Sequence, residues 1–461
     1  MLLDTVFQRF AQRSPVAVMV RGLLEQALAP TTVDALFEQH AQKQYTRELL
    51  FSQVVDLMSQ VVAGVHPSAH AAYQAHHDRF AVSRTAVYDK LNGIEPQVSA
   101  ALVRQTATSL ATVIGHLGAA LPDLLPGYRV KLLDGNCLAK TEHRLHELRP
   151  LAAGPLPGKS LVVLDPALML AIDVFPCEDG HTQERALLGQ VLSTVAPNDV
   201  WVEDRNFCTA AFLFGLADRA ACFVVRQHRN LPWDAVTDLE FAGVSDGAEV
   251  WEQKVHLSNT ATGAALIARR LEVRLSQPTR DGDAALYVLT NVPARVASAT
   301  VVAGLYRKRW TIETLFQVLV ETLESEQPRL GYPKAALFAF CVSLVAYNVL
   351  AVVRAALRAA HGRDVVEAGV STYYLAHEIA GVYQGMMIAL PAEQWEPFQH
   401  FTLARLAGLL KDLASKARLP AYQRHARGPK KPRPDRKHQK DHPHVSTARL
   451  IAIRKKQERS P

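Results

Sequence analysis

The sequence predicts an α/β protein whose mixed sheet carries helices on its faces. Between about residues 128 and 228, short apolar segments alternate with amphipathic ones in the order strand, strand, strand, helix, strand, helix, strand. Residues 1–122 show helical periodicity instead, whereas residues 236–300 alternate between apolar and polar at period two. Because the chain has 461 residues, it is long enough for two or three domains around a sizeable core.

The composition is that of a globular protein, with 49% hydrophobic and 21% charged residues. The five cysteines include no CxxC pair, which indicates a reducing compartment and argues against a structural zinc site. The N-terminal residues lack the apolar segment of a signal peptide. The apolar run 335–353 has the length of a membrane span, but it contains Ser343, Tyr347 and Asn348 and is predicted to be a buried helix. We therefore expect a cytoplasmic protein with no membrane partner.

The N-terminal 122 residues are predicted to form a helical DNA-binding domain. Within residues 80–105, Ser83 is placed to cap a short helix, Gly93 to end it, and a second helix follows. A helix–turn–helix of this size fits the major groove of DNA.

Two aspartates stand at the carboxyl ends of predicted strands within residues 123–235, the first part of the core. Asp134 ends the strand YRVKLLD and is followed by a turn glycine, Gly135, and Asp204 ends the strand NDVWVED. In a sheet of this kind, sites form at strand ends, where side chains project into a crevice. An acid at a strand end can instead cap the following helix, so each aspartate has a structural alternative. Residues 236–300 are predicted to be a β-rich insertion that does not continue the sheet.

A helix predicted over Tyr306–Glu326 carries two faces and belongs to residues 301–360, the second part of the core. Its core-facing stripe follows the helical spacing and consists of Ile312, Leu315, Phe316, Leu319 and Leu323. On its second face, Tyr306, Arg309 and Glu313 follow one another at steps of three and four residues, so they stack along one line. This face is interpreted as one wall of a site, with a solvated charged face as the alternative.

Positive charge is concentrated at the C-terminal end. Residues 361–423 are predicted to be helical, and residues 424–461 to form a basic, flexible tail, since the latter combine prolines with dense charge. The net charge of the chain is +7, but the tail alone carries +10 and the preceding residues carry −3. Such a tail suits a polyanion, most often nucleic acid, and Lys430 and Lys431 are its candidate DNA contacts. A solubility tail is the alternative.

Asp134, Asp204 and Glu313 are too far apart in sequence for a local metal loop. Brought together, they would form an all-oxygen site for Mg²⁺ or Mn²⁺. Two such ions about 4 Å apart activate a nucleophile on one side of a phosphorus and stabilise the leaving oxygen on the other. The chain contains no Walker loop, GxSxG elbow, HExxH helix or GxGxxG turn. Carboxylates combined with a basic tail therefore favour metal-dependent phosphodiester chemistry on DNA.

The segment YRKRWTIE resembles the Tyr-x₂-Arg-x₃-Glu-x₆-Lys signature of bacterial insertion-sequence transposases of the IS-four family. DGN at 134–136 is similar to the first acidic block of that family, and EDRNFCT at 203–209 to the second. The resemblance implies a ribonuclease-H-like core in which Asp134, Asp204 and Glu313 are the DDE triad that binds the metal ions. It also implies cut-and-paste DNA transposition, commonly through a hairpin intermediate, by a homodimer that pairs two transposon ends.

The resemblance assigns the remaining site residues to DNA. Tyr306 and Arg309 match positions that contact the transposon end, and Arg205 and Asn206 match positions that brace the second aspartate's loop or touch phosphate. The signature lysine is replaced by Val320, which removes a phosphate contact but no metal ligand. Two other functions stay open: a DNA-binding regulator of transposition that has lost catalysis, and a plain metal-dependent DNA nuclease.

Overall fold

The computed structural model describes residues 5–46, 48–139, 142, 145–279, 282–425 and 444–458. Its α-helices are α1 (Thr5–Arg13), α2 (Pro15–Ala27), α3 (Pro30–His40), α4 (Phe51–Val62), α5 (Ala69–Ala75), α6 (Arg84–Gly93), α7 (Pro96–Leu117), α8 (Leu188–Leu192), α9 (Ala210–Ala217), α10 (Ala299–Arg307), α11 (Trp310–Glu321), α12 (Pro333–His361), α13 (Arg363–Gly369), α14 (Thr372–Ala389), α15 (Glu396–Gln399), α16 (Leu403–Ser415) and α17 (Thr447–Gln457). Its strands are β1 (Arg129–Leu138), β2 (Gly154–Leu156), β3 (Gly158–Asp165), β4 (Leu170–Cys177), β5 (Asp199–Glu203), β6 (Cys222–Arg226), β7 (Trp233–Ala235), β8 (Glu240–Ser245), β9 (Ala248–Ser258), β10 (Ala265–Arg274), β11 (Ala285–Thr290) and β12 (His444–Ser446).

The centre of the fold is a ten-stranded mixed sheet in the order β4-β3-β1-β5-β6-β11-β10-β9-β7, with β8 paired to β9. Strand β1 runs antiparallel to β3 and parallel to β5, and β5 runs parallel to β6. The predicted α/β class with a mixed sheet is therefore confirmed. Strands β2 and β12 form a separate parallel pair.

The β-rich block continues the sheet, so the prediction that it stands apart from the sheet was wrong. Strand β11 pairs with β6, with Leu289 opposite Val225, and β10 and β9 extend the sheet from there. The join is reinforced at its end, where the Thr290 hydroxyl donates to the Phe223 carbonyl at 2.7 Å. The Asn291 side-chain oxygen accepts from the Phe223 N–H at 2.8 Å. The edge of β6 would otherwise present unpaired backbone groups, and β11 satisfies them.

Each face of the sheet has its own hydrophobic core. The larger core joins one face to helices from both ends of the chain, so helices on either side of the predicted boundary at residue 122 pack together. The smaller core covers the opposite face with aromatic side chains, among them Trp201, Phe207, Phe212 and Phe223. Both faces of the sheet are therefore buried at β1 and β5.

Helix α12 is the predicted buried helix and has 29 residues. By length and composition it is apolar enough to cross a membrane, but 94% of its most apolar window is buried inside the chain. Asn348 lies at its centre, fully buried, and its side chain bonds both backbone groups of Ala171, accepting from the N–H at 2.8 Å and donating to the carbonyl at 2.9 Å. The Asn348 amide thereby satisfies two backbone groups on the outer edge of β4, as a neighbouring strand would.

The signature segment forms two helices rather than the single helix predicted over residues 306–326. Helix α10 ends at Arg307, a turn covers residues 308 and 309, and α11 begins at Trp310. The predicted stripe on α11 packs inward, with Ile312, Leu315, Leu319 and Leu323 buried and Phe316 half-buried. Helix α11 ends at Glu321, three residues before Glu324, whose φ of 39° lies in the left-handed region.

The C-terminal residues 444–458 differ from the predicted flexible tail. Strand β12 pairs with β2 through Val445 opposite Pro155, and α17 follows directly. Arg449 binds Asp179 at 2.8 Å and Arg454 binds Glu147 at 2.8 Å. The prediction of a flexible tail rested on its prolines and dense charge, whereas these two arginines form ion pairs with acidic residues elsewhere in the chain. Lys430 and Lys431 lie outside the described residues.

Candidate active site

The fold brings Asp134, Asp204 and Glu313 together at the central strands of the sheet. Strands β1 and β5 are parallel with Leu133 opposite Glu203, so the backbones of Asp134 and Asp204 lie side by side, about 5 Å apart. Asp204 directly follows β5 as predicted, whereas the prediction that Asp134 ends its strand was wrong, because β1 continues to Leu138. Glu313 lies in the first turn of α11, which packs against β1. Residues separated by 70 and 109 positions in the sequence therefore converge, as the sequence predicts.

Electrostatics link the three carboxylates. Burial, together with repulsion from Asp204 and Glu313, raises the pKa of Asp134 to about 6. The Arg309 guanidinium and the Gly135 N–H oppose this rise in the pKa, and that N–H donates to Asp134 Oδ1 at 2.8 Å. A partly buried carboxylate beside two others favours a cation as neighbour.

Arg309 supplies that cation within the protein. Its Nη1 donates to Asp134 Oδ2 at 3.0 Å and its Nη2 donates to Glu313 Oε1 at 2.8 Å. The side chain is 9% exposed, and among the described residues its Nε has no hydrogen-bond partner. The sequence predicts a DNA contact for Arg309, whereas here the guanidinium bridges two of the three acids.

Tyr306 lies at the end of α10, buried behind Arg309. Burial raises the pKa of its phenol to about 12, with Arg309 opposing that rise and Asp204 adding to it. Tyr306 is only 5% exposed, so its predicted contact with DNA is covered by protein in this structure.

The second acidic block turns sharply after Asp204. Residues Arg205–Phe207 form a 3₁₀ turn in which the Phe207 N–H donates to the Asp204 carbonyl at 3.0 Å. Asn206 braces this turn, since its side chain donates to Glu184 and its carbonyl accepts from Arg185 Nε at 2.7 Å. The Arg205 side chain is exposed.

Glu184 is the site residue that sequence reasoning missed. It opens the 3₁₀ turn Glu184–Leu187 and reaches the first acidic block as well as Asn206. A Cβ added to Gly135 would lie 2.2 Å from Glu184 Oε1. Gly135 is therefore not the turn glycine predicted after Asp134: it lies inside β1 and leaves room for Glu184. No spacing in the sequence relates Glu184 to either block.

Glu203 is excluded as an alternative ligand. It is fully buried against the smaller core, on the face of the sheet opposite Asp134 and Asp204. Both of its carboxyl oxygens lack a hydrogen-bond partner among the described residues, and burial raises its pKa well above the usual range. Because the Glu203 side chain lies on the other face of the sheet, it cannot share an ion with Asp134 and Asp204.

Three basic side chains, Arg307, Lys308 and Arg329, could supply the charge of the missing signature lysine. Val320 is half-buried on α11. Arg307 is engaged with β8 and the turn after it, where Nη1 binds Asp246 at 2.7 Å and Nη2 donates to the Ser245 carbonyl at 2.7 Å. Lys308 and Arg329 are exposed, so these two candidates remain.

The donor set of the site fits hard divalent ions. It consists of carboxylate oxygens, the ligands that Mg²⁺ and Mn²⁺ prefer. Arg309 shows that these carboxylates accept a positive charge between them. Among the described residues, no group of three His, Cys, Asp or Glu side chains lies in an arrangement that would hold an ion.

Comparison with known proteins gives a family match and similarity to solved structures. Residues 159–349 match the family model of the transposase DDE domain, a segment that contains Asp204 and Glu313 but begins after Asp134. No curated protein sequence matches the chain. Among solved structures, it is similar to the piggyBac transposase synaptic complex with hairpin DNA, with a TM-score of 0.40 and 9% identity. That alignment covers 85% of this chain and 86% of the other.

Proposed function

We propose, on the premise that residues 159–349 are similar to a transposase DDE domain, that this chain is a DNA transposase of the IS-four type. Its reaction is metal-dependent cleavage at the ends of an insertion sequence followed by strand transfer. The observation that carries the proposal is the convergence of Asp134, Asp204 and Glu313 at the central strands β1 and β5. The core is proposed to be ribonuclease-H-like, supported by the mixed order of β4, β3, β1, β5 and β6.

The carboxylates Asp134, Asp204 and Glu313 would hold Mg²⁺ or Mn²⁺, two ions in the full site. When bound, the ions activate the attacking hydroxyl and stabilise the leaving oxygen of the phosphodiester. The chain's own part is positioning. Asp134 lies in β1 and Asp204 directly follows the adjacent strand β5, in a sheet buried on both faces, and the hydrogen bond between Glu184 and Asn206 holds the turn after Asp204. Glu313 comes from a separate helix, so its distance from the strands is set by packing of α11 on β1.

Double-stranded DNA is the proposed partner, as transposon ends and as target, with a homodimer pairing two ends in the cytoplasm and no membrane involved. Arg205 and Lys308 are exposed beside the site and suit the phosphates of a bound end. The basic residues 424–461 would add electrostatic affinity that does not depend on the DNA sequence.

The test uses labelled DNA carrying the inverted repeats that flank the gene, the full chain, and either Mg²⁺ or Mn²⁺. A transposase cuts at the repeat and joins the freed 3′ end to a target plasmid. Cleavage without any joined product would identify a nuclease instead. Binding without cleavage under both ions would identify a regulator, the second candidate, which Val320 in place of the signature lysine favours.

Substitution of Gly135 tests the link between the two acidic blocks. In Gly135→Ala the new methyl group displaces Glu184 and breaks its bond to Asn206. We expect cleavage to slow on the order of tenfold to a hundredfold, the usual effect of a small misplacement of reacting groups. The rate is measured on labelled ends under single-turnover conditions. Gly189→Ala, where a Cβ meets no atom within 4 Å, is the control. A Gly135→Ala rate equal to the control's would remove Glu184 from the positioning of the site.

The tail is tested by the salt dependence of DNA binding. Replacing Lys430 and Lys431 together by glutamine should reduce the slope of log affinity against log salt concentration by about 2, because each phosphate contact contributes about 0.9. Lys411 and Lys416, which lie on and directly after α16, replaced together give a control with the same change in charge. Slopes that match between the two double variants would show that the tail lysines do not bind phosphate.

A further inference from the structure

Arg309 occupies the position that a metal ion needs. Its two Nη atoms lie 3.0 and 2.8 Å from oxygens of Asp134 and Glu313. An ion that coordinates both carboxylates sits about 2.1 Å from each oxygen, between them. That volume is filled by the guanidinium, and two cations in one buried site would also repel each other. Arg309 and a bridging metal ion therefore exclude one another.

Arg309 lies between the carboxylates and an exposed aromatic ring. It stands at the two-residue turn between α10 and α11. Its Nε makes no hydrogen bond among the described residues, so the pocket satisfies only part of the guanidinium. The ring of Trp310 lies 5.0 Å from its Cζ and is 59% exposed, which places a cation-binding surface between the site and solvent.

We propose that Arg309 is an internal cation that holds Asp134 and Glu313 together until DNA replaces these partners, and that metal ions enter only when it leaves. This inference rests on the proposed function. A phosphate at the surface can draw the guanidinium out, because arginine binds phosphate with two parallel hydrogen bonds. Arg309 then acts as a positioning residue with two sets of partners, carboxylates without DNA and phosphate with it.

Metal binding and DNA binding are consequently coupled through one side chain. Without DNA, an ion must displace Arg309 from two ion pairs, so its affinity is reduced. With DNA, the guanidinium is already engaged and the carboxylates are open to the ion. Coupling of this kind is reciprocal, so metal ions also strengthen DNA binding. The arrangement prevents a charged site from hydrolysing unrelated phosphodiesters before an end is bound.

The experiment measures Mn²⁺ affinity of the full chain by electron paramagnetic resonance, with and without a DNA fragment carrying the element end. Without DNA, Arg309→Gln is expected to bind Mn²⁺ about tenfold more tightly than the natural chain, within the usual range of coupling between sites. Addition of DNA should raise the Mn²⁺ affinity of the natural chain by a similar factor and leave that of Arg309→Gln unchanged. Arg307→Gln, whose guanidinium faces β8 instead of the carboxylates, should behave like the natural chain.

Two further variants make every outcome decisive. Asp134→Asn must abolish the Mn²⁺ signal if the ion occupies the proposed site. Arg309→Lys keeps a charge but can bridge only one carboxylate at a time, so it should fall between Gln and Arg, and it serves if Arg309→Gln does not fold. Equal affinities for the natural chain and both Arg309 variants, with Asp134→Asn inactive in binding, overturn the inference and leave the proposed function standing. Absence of any Mn²⁺ bound through Asp134, with or without DNA, overturns both.

Discussion

On the proposed function, Asp204→Ala is expected to leave the chain able to bind element ends but unable to cut them, and Asp134→Ala and Glu313→Ala are expected to behave in the same way. Each substitution removes one carboxylate from the proposed metal site, and bound metal ions contribute several kcal/mol to phosphoryl transfer. Since about 1.4 kcal/mol corresponds to a factor of ten, the cleavage rate should fall on the order of a thousandfold or more. Single-turnover cleavage of labelled ends measures the rate, and an electrophoretic shift of the same DNA measures binding.

Glu203→Gln is the matched control for these three variants. Glu203 is adjacent to Asp204, but it is buried on the other face of the sheet and burial raises its pKa, which favours the uncharged form that an amide mimics. Its cleavage rate should stay within a few-fold of the natural chain's. If a carboxylate variant loses DNA binding to the same degree as cleavage, the side chain is not primarily a metal ligand.

Asn348→Leu is expected to lower the stability of the fold by about 2–6 kcal/mol. The substitution leaves the N–H and the carbonyl of Ala171 buried without partners, and each unsatisfied group costs about 1–3 kcal/mol. The thermal unfolding midpoint, followed by circular dichroism, should fall by several degrees. Ser343→Ala in the same helix is the control, because the Ser343 hydroxyl bonds only the Phe340 carbonyl of its own helix. Equal stability of the Asn348→Leu and Ser343→Ala chains would show that α12 does not close the edge of β4 through this amide.

The position of Asp204 is predictable from the sequence because it depends on local pattern: an apolar strand that stops at an acid places that acid at its carboxyl end. The same pattern fails for Asp134, because β1 continues past it to Leu138 and Asp134 pairs with Val162 of β3. The buried character of α12 is predictable for a similar reason, since its polar residues are few and it follows an amphipathic segment. Glu313 is predictable only through the spacing of the whole signature, since acids farther along the same segment offer the same chemistry.

The break between α10 and α11 is not predictable from propensity. Residues 306–321 have helical periodicity throughout, and the chain departs from it only at Lys308 and Arg309. There Arg309 reaches Asp134, which is 175 residues earlier in the chain, and Arg307 reaches Asp246. Contacts made in the folded state decide this turn, and they outweigh a preference of a few tenths of a kcal/mol per residue.

Long-range pairing also decides where β9, β10 and β11 join the sheet, which the sequence analysis predicted wrongly. Period-two alternation identifies β9, β10 and β11 as strands, but it carries no information on which edge they join. The pairing of β11 with β6 is reinforced by Asn291 and Thr290, whose side chains give no sign of this pairing in the sequence. The contact of Glu184 with Gly135 is of the same kind.

Arg307 ties the end of α10 to the hairpin of β8 and β9. Asp246 and Gly247, the two residues of that turn, both have positive φ, 46° and 79°, as a tight two-residue hairpin requires. Arg307 binds Asp246 and the Ser245 carbonyl at the start of the turn. The contact joins positions 62 residues apart, so β9, β10 and β11 lie within a loop of the chain that is closed at this turn.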